Sequence, residues 1–202
     1  MCILGDIPLR DRVLKDVKRA TREDAPAPAP AVCAVGKLEY SYAMDGAALT
    51  ISVNVKSLRR SASGVIHGQI HLCFGEVVFP GRGWDDFVVA FLVAWLRAVI
   101  GLWRSAHERE RVRFFDGPYW AELSTSRAAQ GSVEVVLVAD QSGVPVTQHL
   151  EIVEVSQLGR NALSVGRELL SVCANEGWND SDLEDLAEQV TVLSNFVEEP
   201  VQ

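Results

Sequence analysis

His67, Gln69, His71 and Cys73 stand at alternate positions, and alternate side chains of an extended strand project from one face. Two imidazoles and a thiol are donor types that bind zinc or copper. Parallel side chains about 7 Å apart do not converge on one ion without further ligands, so His67, His71 and Cys73 are weak metal candidates. The plainer reading is the polar face of a half-buried strand. Trp84-Asp85-Asp86 offers two adjacent carboxylates that could act as an acid/base pair, yet acids at the start of a helix are what capping and the helix dipole favour. Asp116 lies in an Asp-Gly-Pro turn, where aspartate is commonplace, and Cys173 lies at the edge of a helical stripe, where a core thiol is expected. Arg109, Arg111 and Arg113 share one strand face. They suit a phosphate or an acidic partner, or simply a charged face that discourages edge pairing.

No phosphate-binding loop, dinucleotide fingerprint, nucleophile elbow or zinc-protease motif occurs, and no cofactor is expected. The charge distribution says more. Net charge is −8, and eight of the 27 acids lie between Glu176 and Gln202, a stretch without Lys, Arg or His. The rest of the chain holds 19 acids against 19 bases, so the excess belongs to the C-terminal end. Such a surface favours a basic protein partner over nucleic acid. Glu176, Asp180, Asp182, Asp185 and Glu188 are the expected contact residues, against the plainer reading of a solvated helix face.

The elements that must position these residues centre on Trp84 to Ala106. Phe87, Phe91, Ala94, Trp95, Ala98 and Leu102 recur at helical spacing, with Val88, Leu92, Val99 and Trp103 beside them, and only a narrow seam of Asp86, Ala90, Val93, Arg97, Gly101 and Arg104 breaks the coat. A helix so coated needs cover on most sides. Its unbroken apolar run, Phe87 to Leu96, falls well short of the roughly 20 residues a membrane span needs, so no membrane partner is expected. Before it, alternation over 38–44, 49–56 and 65–74 predicts antiparallel strands, with Asp45-Gly46 as a hairpin turn. After it, 111–115, 119–125, 133–139 and 146–155 read as four more strands. Two helices close the chain, the first capped by Ser156 and ending near Gly177, the second opened by the capping box Ser181-Asp-Leu-Glu184.

The predicted fold is therefore α+β: an antiparallel meander sheet of about seven strands packed on a long central apolar helix. Two C-terminal helices and a short N-terminal helix complete it. Residues 1–24 form that N-terminal piece, 25–35 a Pro/Ala linker and 36–202 a single domain. The four separated cysteines and the absence of a signal peptide point to reduced thiols and a cytoplasmic protein.

The stretches Gly83-Trp-Asp-Asp-Phe87, Trp95-Leu96 and Phe114-Phe-Asp-Gly-Pro-Tyr119 resemble a pattern in small bacterial proteins, some of them immunity proteins of polymorphic-toxin or contact-inhibition systems. The resemblance covers about a fifth of the chain and implies no site residue. It implies a non-catalytic protein that neutralises a toxin by masking its active site. Alternatively, a pocket between sheet and long helix would serve a small enzyme or ligand-binding domain, with His67, His71, Asp116 and His149 as candidates. A homodimer through the long helices is compatible with either.

Overall fold

The structure, a computed structural model, describes residues 48–127 and 129–197. The predicted N-terminal helix, the Pro/Ala linker, the strand at 38–44 and the Asp45-Gly46 turn lie outside the described residues. The described chain is α+β, with nine strands in two antiparallel sheets and three α-helices.

The first sheet is organised on β3 (Ile66–Phe74). Its even-numbered residues alternate buried and its odd-numbered ones half-buried, as period-two patterning requires. Residues 72–74 pair with both β1 (Leu49–Val53) and β4 (Val77–Phe79), and His67 pairs with both β2 (Arg59–Arg60) and β5 (Asp85–Phe87). These partners therefore occupy two edges, each in two segments. On each edge six chain steps span three steps of β3, since Val53 faces Ile70 and Arg59 faces His67, while Phe79 faces Leu72 and Asp85 faces Gln69. A 3-10 turn, Val55–Ser57, takes up the slack on one edge and the Pro80–Gly83 loop on the other. Along β1 the Ile51 N–H is taken by the Asn161 side chain at 2.7 Å, on the edge where β1 pairs with no other strand among the described residues.

The strand β5 corrects the sequence reading, in which Trp84-Asp85-Asp86 opens the long helix. Asp85 and Asp86 are in the strand, Trp84 just before it, and the helix α1 runs over Val88–Trp103. Gly68, opposite Asp86, allows the close approach: a Cβ there would stand 2.8 Å from Leu58 and 3.2 Å from Val88. The second sheet is the meander β6 (Arg109–Arg113), β7 (Tyr119–Thr125), β8 (Ser132–Gln141) and β9 (Val144–Glu154). The expected single sheet of about seven strands is thus two sheets, because α1 intervenes between the two groups of strands.

Twelve of the sixteen α1 residues are buried, and their neighbours are β3 and β5 of the first sheet, β6 and β7 of the second, and the helices α2 (Val155–Asn175) and α3 (Ser181–Val197). The apolar coat is covered by the chain's own elements, so a homodimer built on bare α1 faces finds no bare face to use. Aromatic rings join the layers: Phe91 of α1 lies 4.5 Å from Phe114, and Phe79 of β4 lies 5.7 Å from Phe114 and 5.6 Å from Tyr119. Burial of this apolar surface, mostly aliphatic with the rings among it, contributes about 25 cal/mol per Å².

Candidate functional site

The acidic end is built from the turn between α2 and α3. The helix α2 stops where Gly177 adopts φ +69°, with Gly177 N–H donating to Ala174 O at 3.1 Å and Trp178 N–H to Cys173 O at 2.9 Å. That paired pattern closes the helix and turns the chain. Asp180 then caps α3, its carboxylate accepting from the N–H groups of Asp182 (3.1 Å) and Leu183 (3.0 Å). The cap is therefore Asp180 and not Ser181. Ser156 likewise lies inside α2, which follows Glu154 without a side-chain cap.

Two arginines brace this corner. Arg60 of β2 donates to Asn179 O at 3.0 Å and to the Asp180 carboxylate at 3.2 Å. Arg97, the cation in the polar seam of α1, reaches both oxygens of Asp185 at 2.8 and 2.7 Å. Of the five expected contact residues, Asp180 and Asp185 are thus engaged within the fold. Glu176, Asp182 and Glu188 are exposed, as is Glu184, and none of them forms an ion pair among the described residues. Sequence reading missed the bracing arginines. Arg97 alone had a signal, as the isolated cation of an apolar helix.

The other candidates are dispersed. His67, Gln69, His71 and Cys73 do share one face of β3, but Gln69 bonds Asn54 at 2.9 Å and His67 lies against the Phe87 ring at 4.6 Å. Burial, followed by the charge of Arg82, lowers the His71 pKa and favours the neutral imidazole. Among the described residues no group of three His, Cys, Asp or Glu side chains could hold a metal ion. His149 lies on β9 near Phe74, 4.9 Å between rings, and 3.5 Å from Glu151. The Cys173 thiol is buried and pushed up to about 11, chiefly by desolvation and then by Asp180, which makes it inert as a nucleophile.

Asp86 behaves unlike either sequence reading of it. It is fully buried and accepts from its own chain at Phe87 N–H (2.7 Å), from the Trp84 indole N–H (3.1 Å), and from Phe115 N–H (3.0 Å) and Asp116 N–H (3.4 Å) of the β6–β7 turn. Two of these four donors come from the turn and hold β5 to it. Gly117 completes the fit, since a Cβ there would stand 2.7 Å from the Trp84 ring. The Trp-Asp-Asp-Phe and Phe-Asp-Gly-Pro-Tyr stretches that carry the resemblance are therefore one packed unit. Asp85 points elsewhere, into a two-pronged pair with Arg59 at 2.6 and 2.9 Å. One shallow cleft of about 280 Å³ runs between β1 and α2, lined by Thr50, Ser52, Val53, Val165, Glu168 and Leu169.

No family model and no curated protein matches the chain. A solved structure described as that of Trypanosoma bruciei MRP1/MRP2 is similar at 11% identity over 64% of this chain and 86% of that one, with a TM-score of 0.28. At that score the likeness carries no argument about fold or function. Among the described residues, no helix is long and apolar enough to cross a membrane.

Proposed function

We propose that this chain is a non-catalytic, cytoplasmic binding protein that recognises a basic protein surface through its acidic α2–α3 corner, as an immunity protein masks a toxin's active site. The observation that supports this most directly is the division of labour among the acids. Asp180 and Asp185 are held by Arg60 and Arg97, which fixes α3 against the body, while Glu176, Asp182, Glu184 and Glu188 are exposed and form no ion pair among the described residues. Fixed acids of one sign on a rigid helix steer a basic partner and favour its correct orientation. The seven-stranded meander expected from sequence is not needed for this reading, which rests on α3 and its braces.

The test is co-purification and protection with a toxin encoded beside the gene. Reversal of Asp182 and Glu188 to Lys, with Asp185 left in place to keep α3 anchored, should weaken binding at least tenfold at low salt and reduce the loss of affinity on adding salt. Unchanged affinity and unchanged protection would remove the acidic corner from the mechanism.

A further inference from the structure

The face of the second sheet turned away from α1 carries Arg109, Arg111 and Arg113 along β6 and Trp120 and Glu122 on β7. Its far end opens into a shallow cleft of about 290 Å³ lined by Arg111, Arg113, Pro118, Trp120, Asp140 and Pro145. The cleft joins two turns that are tied together, because Asp140 N–H donates to Pro118 O at 2.7 Å. Its cations are not equivalent. Arg111 is held over the Trp120 ring at 5.0 Å and donates to Glu122 at 2.6 Å, so its guanidinium is fixed and already matched by an acid. Arg113, two residues on along the same face, is exposed and forms no ion pair among the described residues. The acid of the lining, Asp140, is occupied by the Gly143 N–H at 2.6 Å. Val144, next to Pro145, is 61% exposed.

We propose that this cleft docks an extended peptide segment of a partner protein that carries acidic and apolar side chains, with a carboxylate on Arg113 and apolar groups against Pro118, Pro145 and Val144. Charge complementarity identifies the occupant: on a chain of net charge −8, Arg113 is an exposed guanidinium that forms no ion pair among the described residues. The openness of the cleft suits an extended segment and not a small molecule, which needs enclosure of most of its surface. The surface is separate from the acidic corner, so the two readings stand or fall independently.

Full-length protein is titrated at low salt against a fluorescein-labelled peptide, Glu-Leu-Glu-Pro-Leu-Glu, and against its counterpart with Gln in place of each Glu, with anisotropy as the readout. Saturable binding of the acidic peptide is expected, with little binding of the neutral one. Arg113→Glu should weaken it by about tenfold or more, and Arg113→Gln by less. The Asp182→Lys, Glu188→Lys variant should bind this peptide as well as the wild type does. If Arg113→Glu disturbs the circular dichroism spectrum, Arg113→Gln carries the comparison. Absence of saturable binding, equal binding of the neutral peptide, or an affinity indifferent to Arg113 would each overturn the proposal.

Discussion

A carboxylate with no access to water normally survives only where donors replace its hydration, and Asp86 has four N–H groups doing so. Its role follows from where those donors come from: one indole and one amide beside it in sequence, and two amides from a turn about thirty residues later. Asp86→Asn keeps the size but turns an NH2 group toward two of the four N–H donors, one of them an amide of the β6–β7 turn, and leaves both without an acceptor. Each such loss costs about 1–3 kcal/mol, so the variant should be about 2–4 kcal/mol less stable in urea unfolding. A change below about 0.5 kcal/mol would mean that the carboxylate is not what fastens the turn. The sequence could not reveal this. Within a local window, Asp85-Asp86 ahead of an apolar helical run is indistinguishable from an acidic first turn, and the donors that make burial tolerable are set by tertiary contact.

At the level of elements, helices and strands with clear periodicity were legible from residue order alone. Of the stripe Leu158, Ala162, Val165, Leu169 and Val172 expected on the first C-terminal helix, Leu158, Ala162 and Leu169 are buried and the two valines half-buried, while β7 and β9 emerge from alternation and β8 from a run apolar on both faces. Partition into two sheets was not legible, because periodicity states which face is buried and not which strands share hydrogen bonds. The helix pair shows the same limit. Gly166 of α2 reads as a mild helix breaker, yet it lets α3 approach: a Cβ there would stand 2.8 Å from Val190 and 3.9 Å from Leu96. Gly166→Ala should therefore destabilise by about 1–3 kcal/mol despite alanine's better helix propensity. Chemical denaturation measures it, and a stabilised variant would show that α2 and α3 have room to part.

For the molecule as a whole, pH dependence is set by groups whose charge balance differs between the folded and unfolded chain. Two shifts act in the same sense. Glu122 loses solvation, which raises its pKa, but hydrogen bonds from Arg111 and Trp120 and the charges of Arg111 and Arg109 outweigh this and hold it below the usual carboxylate range. His71 is lowered by desolvation and then by Arg82. Both groups bind protons more readily unfolded than folded, so both withdraw stability as pH falls. His71 acts first, from about pH 6.5 downward, and Glu122 follows from about pH 4.5. Thermal melts across pH 3–8 should show Tm falling in those two windows. Glu122→Gln should flatten the lower one and leave the upper one, whereas an unchanged lower limb would assign acid sensitivity to other carboxylates.

The guanidinium of Arg97 has a consequence beyond its bond to Asp185. Exchanged for leucine, it would let the uncharged run from Phe87 continue through Trp103, at the lower limit of about 17 residues that insertion into a bilayer requires. One basic side chain thus keeps the uncharged part of that run below the length a bilayer span needs. The same side chain gives a rod that is greasy on nearly every side a preferred rotation about its own axis once the body closes around it.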